Sequence, residues 1–421
     1  MRCLLTHAFF LDEDPKEQEI LRPYPPLGIM YISAYLRARG LEIELYDATF
    51  GTRTELCDLL THGEPGLLGL YVNLITRNSA IQIIEVAKAA GWTVVLGGPE
   101  PANYPHQYLA AGADYVVPGE GERAMEKLLT QPLPPKGLLA SEPQIENLDE
   151  LPWPDRERID IDKYLQAWRA KHGEGSVSLI TARGCPYHCE WCSHSTYGKT
   201  HRRRGVQSVA DEVAWIAERY SPEMLWYADD VFTIHRGWTL AYAAEMKKRG
   251  IRLRFECITR ADRMDEAVAD ALAELGCFRV WIGSESGSQR VLDSMRRGVK
   301  VEQVQRAVEL AKSRGIATGM FLMWGYEGED VSDIEATVEH VARTRPDTVL
   351  TTLSYPIKGT PYFDKVSSKL VQVADWRSAT DRDLAIAGRR DRSYYKHADE
   401  LLRGTLAGDA GRIEAARTKL R

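Results

Sequence analysis

The stretch VSLITARGCPYHCEWC, residues 177–192, runs from an apolar segment into a loop that holds three of the chain's seven cysteines. A short apolar run bounded by glycine reads as a buried strand, so Cys185, Cys189 and Cys192 follow directly from a strand end. Cys3, Cys57, Cys257 and Cys277 fall in apparent strands or helices and read as small buried hydrophobes. An odd, scattered set of cysteines fits a reducing compartment better than a disulfide framework, which leaves the clustered three free to bind metal. Zinc would call for a fourth ligand, with His188 and His194 as the local candidates. A four-iron cubane on three thiolates would keep one iron open for chemistry on a small molecule. A structural zinc or a plain electron-transfer cluster is thus the alternative to a catalytic centre.

Around this loop the composition is that of an α/β protein. The chain has 421 residues, 44% hydrophobic, 27% charged, with 33 glycines, which suggests two or three domains at roughly 100–200 residues each. The formal charge of −6 is mild and interspersed, so nucleic acid is not expected as a partner. The leading MRCLLTHAFFLDEDP has an apolar run too short for a signal peptide, and no stretch approaches 18 apolar residues. A cytoplasmic protein with no membrane contact is expected.

Residues 1–135 alternate apolar runs (CLLTH, IELYDA, LLGLYVN, TVVLGG, YVVPGE) with helical patterns near 27–39, 53–61, 79–90, 105–111 and 121–130. Repeated βα units predict a doubly wound, Rossmann-like (flavodoxin-like) domain with ligands at the carboxyl ends of its strands. Residues 136–172 are proline-rich at first and read as a linker, with a possible helix at DKYLQAWRA. From 173 to 368 six further strands, VSLITAR, EMLWYAD, LRFECIT, FRVWIGSE, TGMFLMWG and TVLTTLSY, alternate with helices. They predict a partial (β/α)6 barrel of TIM type, with its site at the carboxyl rim. Residues 369–421 read as a helical C-terminal segment; Tyr394 and Tyr395 within it fit a substrate wall or a packed surface helix equally.

The spacing of Cys185, Cys189 and Cys192, with Trp191 before the last, resembles the CxxxCxxC signature of radical S-adenosylmethionine (radical SAM) enzymes. The resemblance implies a [4Fe-4S] cluster whose open iron chelates SAM, and reductive cleavage of SAM to a 5'-deoxyadenosyl radical. Further segments fall in family order. Asp229 and Asp230 in WYADDVF would face the SAM amino group, Glu285 in GSESGS would take the ribose hydroxyls, and Gly325 in GMFLMWGYEGE would line the adenine side. Arg204 in HRRRGVQSV lies where the family often has a basic SAM contact. A solvated face or a structural ion pair is the bland reading of Asp229, Asp230 and Arg204, and plain packing that of Trp191.

The leading domain resembles the cobalamin (B12)-binding domain that precedes the radical SAM barrel in one subgroup. The resemblance rests on YPPLGIMYISAYLRARG, VVLGGPEPANYP and YVVPGEGERAMEKLL. It implies cobalamin contacts at Pro26, Leu27, Gly28, Thr76, Gly97, Gly98, Pro99, Gly119, Glu120 and Gly121. Glycines after strands let backbone approach a broad ligand. The DxHxxG motif of cobalamin mutases is absent, so no histidine is expected under cobalt, and NLITRN, residues 73–78, is the candidate lower-face loop. The implied function is a methyltransferase that moves a methyl group from SAM through methylcobalamin to an unreactive centre of a small-molecule substrate. A B12-dependent oxidative cyclase or rearrangement enzyme is the alternative. The implied partners are that substrate and an electron donor, a reductase, flavodoxin or ferredoxin.

Overall fold

The computed structural model describes every residue except Met1 and Val373. Strands β1 (Cys3–His7), β2 (Glu44–Leu45), β3 (Leu67–Tyr71), β4 (Thr93–Gly97), β5 (Tyr115–Val116) and β6 (Gly137–Leu138) form one parallel sheet in the order β2-β1-β3-β4-β5-β6. The order reverses between β1 and β3, the switch point where doubly wound sheets take ligands. Strand periodicity sends Leu4, Leu68 and Val94 into one core with Leu56, Ile81 and Ile84. Cys3, Leu5, Leu67 and Val95 face the other core, with Ile29, Leu36 and Met125.

The stretch 136–172, expected as a linker, folds onto this sheet. It supplies β6 and the helix Ile161–His172, whose Tyr164, Leu165 and Trp168 are buried. Their spacing makes an apolar stripe that must be covered. Tyr164 donates to Asp47 Oδ2 at 2.6 Å and the Trp168 indole N–H to the Pro23 carbonyl at 2.8 Å.

A second sheet contains β7 (Ser176–Leu179), β10 (Met224–Tyr227), β11 (Arg254–Thr259), β12 (Cys277–Glu285), β13 (Ala317–Trp324) and β14 (Thr348–Leu353), in the order β14-β13-β12-β11-β10-β7. Among the described residues it does not close, so the barrel is partial. Between β7 and β10 lies a short antiparallel ribbon, β8 (Ala182–Arg183) against β9 (Arg202–Arg203). The chain divides into two compact units, 1–186 with 193–226 and 374–380, and 187–192 with 227–373 and 381–421. The tail therefore serves both units. In the first, Trp376 packs edge-on to Tyr108 at 4.9 Å, and Arg77 donates to the Ala379 carbonyl at 2.6 Å. In the second, Asp399 of the helix Arg392–Ala407 accepts from the Trp324 indole at 2.8 Å and from Thr351 at 3.0 Å.

Within the first unit Glu212 is fully buried between Arg156, at 2.5 Å, and Arg204. Burial alone would raise its carboxyl, but the two guanidiniums outweigh burial and hold it below the usual range. A depressed carboxylate contributes stability above the unfolded value of about 4.3, and that contribution is lost as pH falls through the folded value. Glu212→Gln is expected to cost about 3–5 kcal/mol in denaturant unfolding at neutral pH, because two buried cations lose their partner. The gap to wild type should narrow below the usual carboxylate range, and a gap independent of pH would count against this assignment.

Candidate functional site

The thiol loop is the inside of the ribbon. Gly184, directly before Cys185, has φ +84, and a Cβ there would stand 2.3 Å from the Thr200 carbonyl oxygen. Only glycine closes the ribbon at that point. In its register Arg183 lies opposite Arg202, and like charges facing each other across two strands repel. Glu120 resolves this: its carboxylate accepts from Arg183 at 2.6 Å and from Arg202 at 2.8 Å, and Glu122 accepts from Arg183 at 2.6 Å. Burial would raise the Glu120 carboxyl, but Arg202 and Arg183 outweigh it and keep it low, hence charged. Glu120 lies in the loop after β5 and Glu122 opens the helix Glu122–Thr130 that follows, so the ribbon is fastened to the carboxyl edge of the first sheet. Ser195 Oγ also donates to the Pro99 carbonyl at 3.1 Å, and Gln144 donates to the Tyr197 carbonyl at 2.8 Å.

Residues 187–192 are held by different charges. Glu190, between Cys189 and Cys192, is buried. Its carboxylate meets Tyr326 Oη at 2.9 Å, Arg296 Nε at 3.1 Å and Lys365 Nζ at 3.2 Å. Its backbone N–H donates to the Met295 carbonyl and its carbonyl accepts from the Tyr362 N–H. Trp191 packs against the apolar cluster of Val291, Met295, Met323, Tyr326 and Tyr362. Among the described residues no cysteine is in a disulfide; Cys185 is half-buried, Cys189 buried and Cys192 exposed. The Cys189 sulfur lies 3.9 Å from Arg260 Nη1 and 3.8 Å from Arg297 Nη1. Metal ligation uses the thiolate form, and the charges of both guanidiniums lie beside this sulfur. Among the described residues no three His, Cys, Asp or Glu side chains converge where one ion could sit. Free thiols on one loop, one of them flanked by cations, fit the anionic thiolate donors of an iron–sulfur cluster.

Several expected SAM contacts sit at strand ends. Glu285 ends β12 at a register shift with φ +63, a strained conformation for a residue with a side chain, of the kind found at binding sites. Burial pushes its carboxyl up, against the pull of Arg297 and Arg260. Arg297 joins it to the thiol loop, since Arg297 Nε is 3.7 Å from Glu285. Asp229 is buried just past β10. Asp230 directly follows it, and loss of hydration together with the adjacent Asp229 raises its carboxyl. Gly325, φ +71, allows Leu353 and Tyr395 to pack where a Cβ would come within 2.8 Å of each. Arg204, by contrast, is buried and committed to Glu212, Ser208 and the Ile180 carbonyl. The structure gives it the structural ion pair that its burial requires.

Of the expected cobalamin contacts, Gly28 and Gly97 face open space, with nothing within 4 Å of an added Cβ. Gly97 ends β4, and Gly28 lies in the first turn of the helix Leu27–Arg37. Gly98, φ +102, is needed because a Cβ would strike the Val72 carbonyl at 2.4 Å. Pro26 caps the helix Leu27–Arg37, whose Leu27 is buried. Thr76 is buried and bonded to Asn73 in the turn after β3. Gly119 and Gly121 flank Glu120, and a Cβ on Gly121 would meet Ile32 at 2.7 Å. Arg183, Arg202, Glu122, Glu190, Arg260 and Arg297 were not singled out by sequence. The usable signal was charge beside the cysteines: Arg183 two residues before Cys185 and Glu190 inside the motif.

Gly184→Ala is expected to lose most bound iron after anaerobic reconstitution while far-UV circular dichroism stays close to wild type, since only the ribbon is disturbed. Glu190→Ala should do the same by freeing residues 187–192. Full iron in both variants would contradict this account of the loop.

Comparison with known proteins extends the picture. Residues 19–129 match the B12 binding domain model and residues 179–341 the radical SAM superfamily model. An uncharacterized methyltransferase of Pyrococcus horikoshii is 27% identical over 384 residues, covering 85% of this chain and 82% of that protein. An anaerobic magnesium-protoporphyrin IX monomethyl ester cyclase of Rubrivivax gelatinosus is 26% identical over 406 residues, 89% of this chain and 72% of the cyclase. The fold is similar to that of the radical SAM methyltransferase TsrM from Kitasatospora setae, solved with cobalamin and a [4Fe-4S] cluster. There the TM-score is 0.73 at 20% identity, over 91% of this chain and 81% of TsrM. With a B12-binding domain followed by a radical SAM domain, the chain belongs to the cobalamin-dependent radical SAM enzymes.

Proposed function

We propose that this protein is a cobalamin-dependent radical SAM methyltransferase acting on an unreactive carbon of a small molecule. The observation that carries the reading is the loop of Cys185, Cys189 and Cys192, with the Cys189 sulfur flanked by Arg260 and Arg297, in a chain whose first sheet carries Gly97 and Gly98 at the carboxyl end of β4. The named functions of the Pyrococcus relative and of TsrM support methyl transfer. The Rubrivivax relative favours a second reading, oxidative cyclisation with the same cofactors.

Cys185, Cys189 and Cys192 would hold a [4Fe-4S] cluster and leave one iron for SAM. Glu285, with Asp229 and Asp230, would orient SAM, and the edge around Gly28, Gly97 and Gly98 would take cobalamin. These groups, when bound, supply a methyl group and one-electron chemistry that no side chain provides. The chain's own contribution is position and exclusion of water. Glu190 and Glu120 fix the two parts of the loop, and Glu285 is set at a strained strand end where its carboxylate oxygens could accept from ribose hydroxyls. The strand-end placement matches the rim at which barrels carry their sites. A one-electron donor, a reductase, flavodoxin or ferredoxin, would be a partner. No helix among the described residues is long and apolar enough to cross a membrane, and a cytoplasmic location accords with the free thiols.

Anaerobically reconstituted protein, given cobalamin, SAM, a low-potential reductant and substrate extract, is expected to form a product heavier by one CH₂ together with S-adenosylhomocysteine and 5'-deoxyadenosine. Deoxyadenosine with an unmethylated, cyclised or rearranged product would select the second reading. Cys189→Ala should abolish deoxyadenosine formation while cobalamin remains bound.

A further inference from the structure

Two buried cations next to Cys189 have no role in binding or orienting SAM as described above. Arg260, at the end of β11, is 2% exposed, and Arg297 is 6% exposed. Arginine does not deprotonate in proteins, so both charges are permanent. Arg260 stacks on the Tyr187 ring, 3.5 Å from its centroid, and donates to Asp262 at 2.9 Å and to the Arg297 carbonyl at 3.0 Å. Arg297 donates to the Gly283 carbonyl at 2.9 Å. These contacts leave each guanidinium one edge, and both edges point at the same sulfur, at 3.9 and 3.8 Å. Among the described residues Asp262 is bonded to Arg260 and Glu285 is ion-paired with Arg297 at 3.7 Å. The Cys189 sulfur thus has two cationic donors beside it in a buried, poorly hydrated setting.

We propose that Arg260 and Arg297 are positioning residues that clamp the Cys189 sulfur and raise the reduction potential of the cluster it holds. The inference rests on the cluster reading given above. Reduction adds one negative charge to a cluster whose charge is shared with its sulfur ligands. Cationic hydrogen-bond donors to a ligand sulfur stabilise the reduced form more than the oxidised one. In a buried setting that difference is weakly screened.

The test is an anaerobic, EPR-monitored redox titration of reconstituted holoenzyme without SAM. It compares wild type, Arg260→Gln, Arg297→Gln, Arg297→Lys and the more exposed control Arg263→Gln. Arg263 also reaches Tyr187 but has no bond to the sulfur. Each Gln variant is expected to disfavour reduction at least tenfold, about 59 mV for a one-electron couple. Arg297→Lys should fall between, and Arg263→Gln should match wild type. Equal midpoints in all iron-loaded variants would overturn the proposal. If a Gln variant fails to load iron, Arg297→Lys decides, and a midpoint equal to wild type overturns it. A wild-type protein that forms no EPR-active cubane would instead remove the cluster reading itself.

Discussion

A repulsion underlies the architecture. Two arginines face each other across the ribbon that encloses the thiol loop, and on their own they would push its strands apart. Glu120 accepts from both at 2.6 and 2.8 Å. The ribbon therefore closes where a carboxylate from the loop after β5 is present, and placement of Cys185, two residues past Arg183, is coupled to folding of the first sheet. Glu122, on the next turn of chain, takes the remaining edge of Arg183. Removing Glu120 would leave the buried Arg202 without its carboxylate, which is costly.

This coupling has a functional sense. Chemistry that needs two large cofactors and a substrate gains most when their binding loops are mutually fixed, because encounter is replaced by placement. The left-handed Glu285 and the two buried guanidiniums beside Cys189 are each expensive locally. Each is retained by surrounding packing, a pattern typical of functional sites.

Much of this was legible in the sequence because it depends on local pattern. Alternating apolar runs marked β1 to β5 and the six barrel strands, and thiol spacing marked the loop. What escaped depends on pairing between distant segments. β6 has two residues, Gly137–Leu138, too few for periodicity to register. Trp376 and Arg77 are about 300 residues apart, and nothing near either announces the other. Arg204 shows the limit most clearly. Its position beside a basic run suggested ligand contact, yet the buried Glu212, eight residues on, claims it. Glu120 lay among expected cofactor contacts, and the structure gives its carboxylate to Arg183 and Arg202.

The central claim is that three thiolates hold a cubane with one corner free for SAM. Electron–nuclear double resonance on the reduced, reconstituted protein with SAM carrying ¹⁵N in its amino group examines that corner directly. The account predicts a ¹⁵N hyperfine coupling to the cluster that vanishes when SAM is omitted. A cluster signal indifferent to labelled SAM, or loop-bound zinc with no paramagnetic signal, would contradict it.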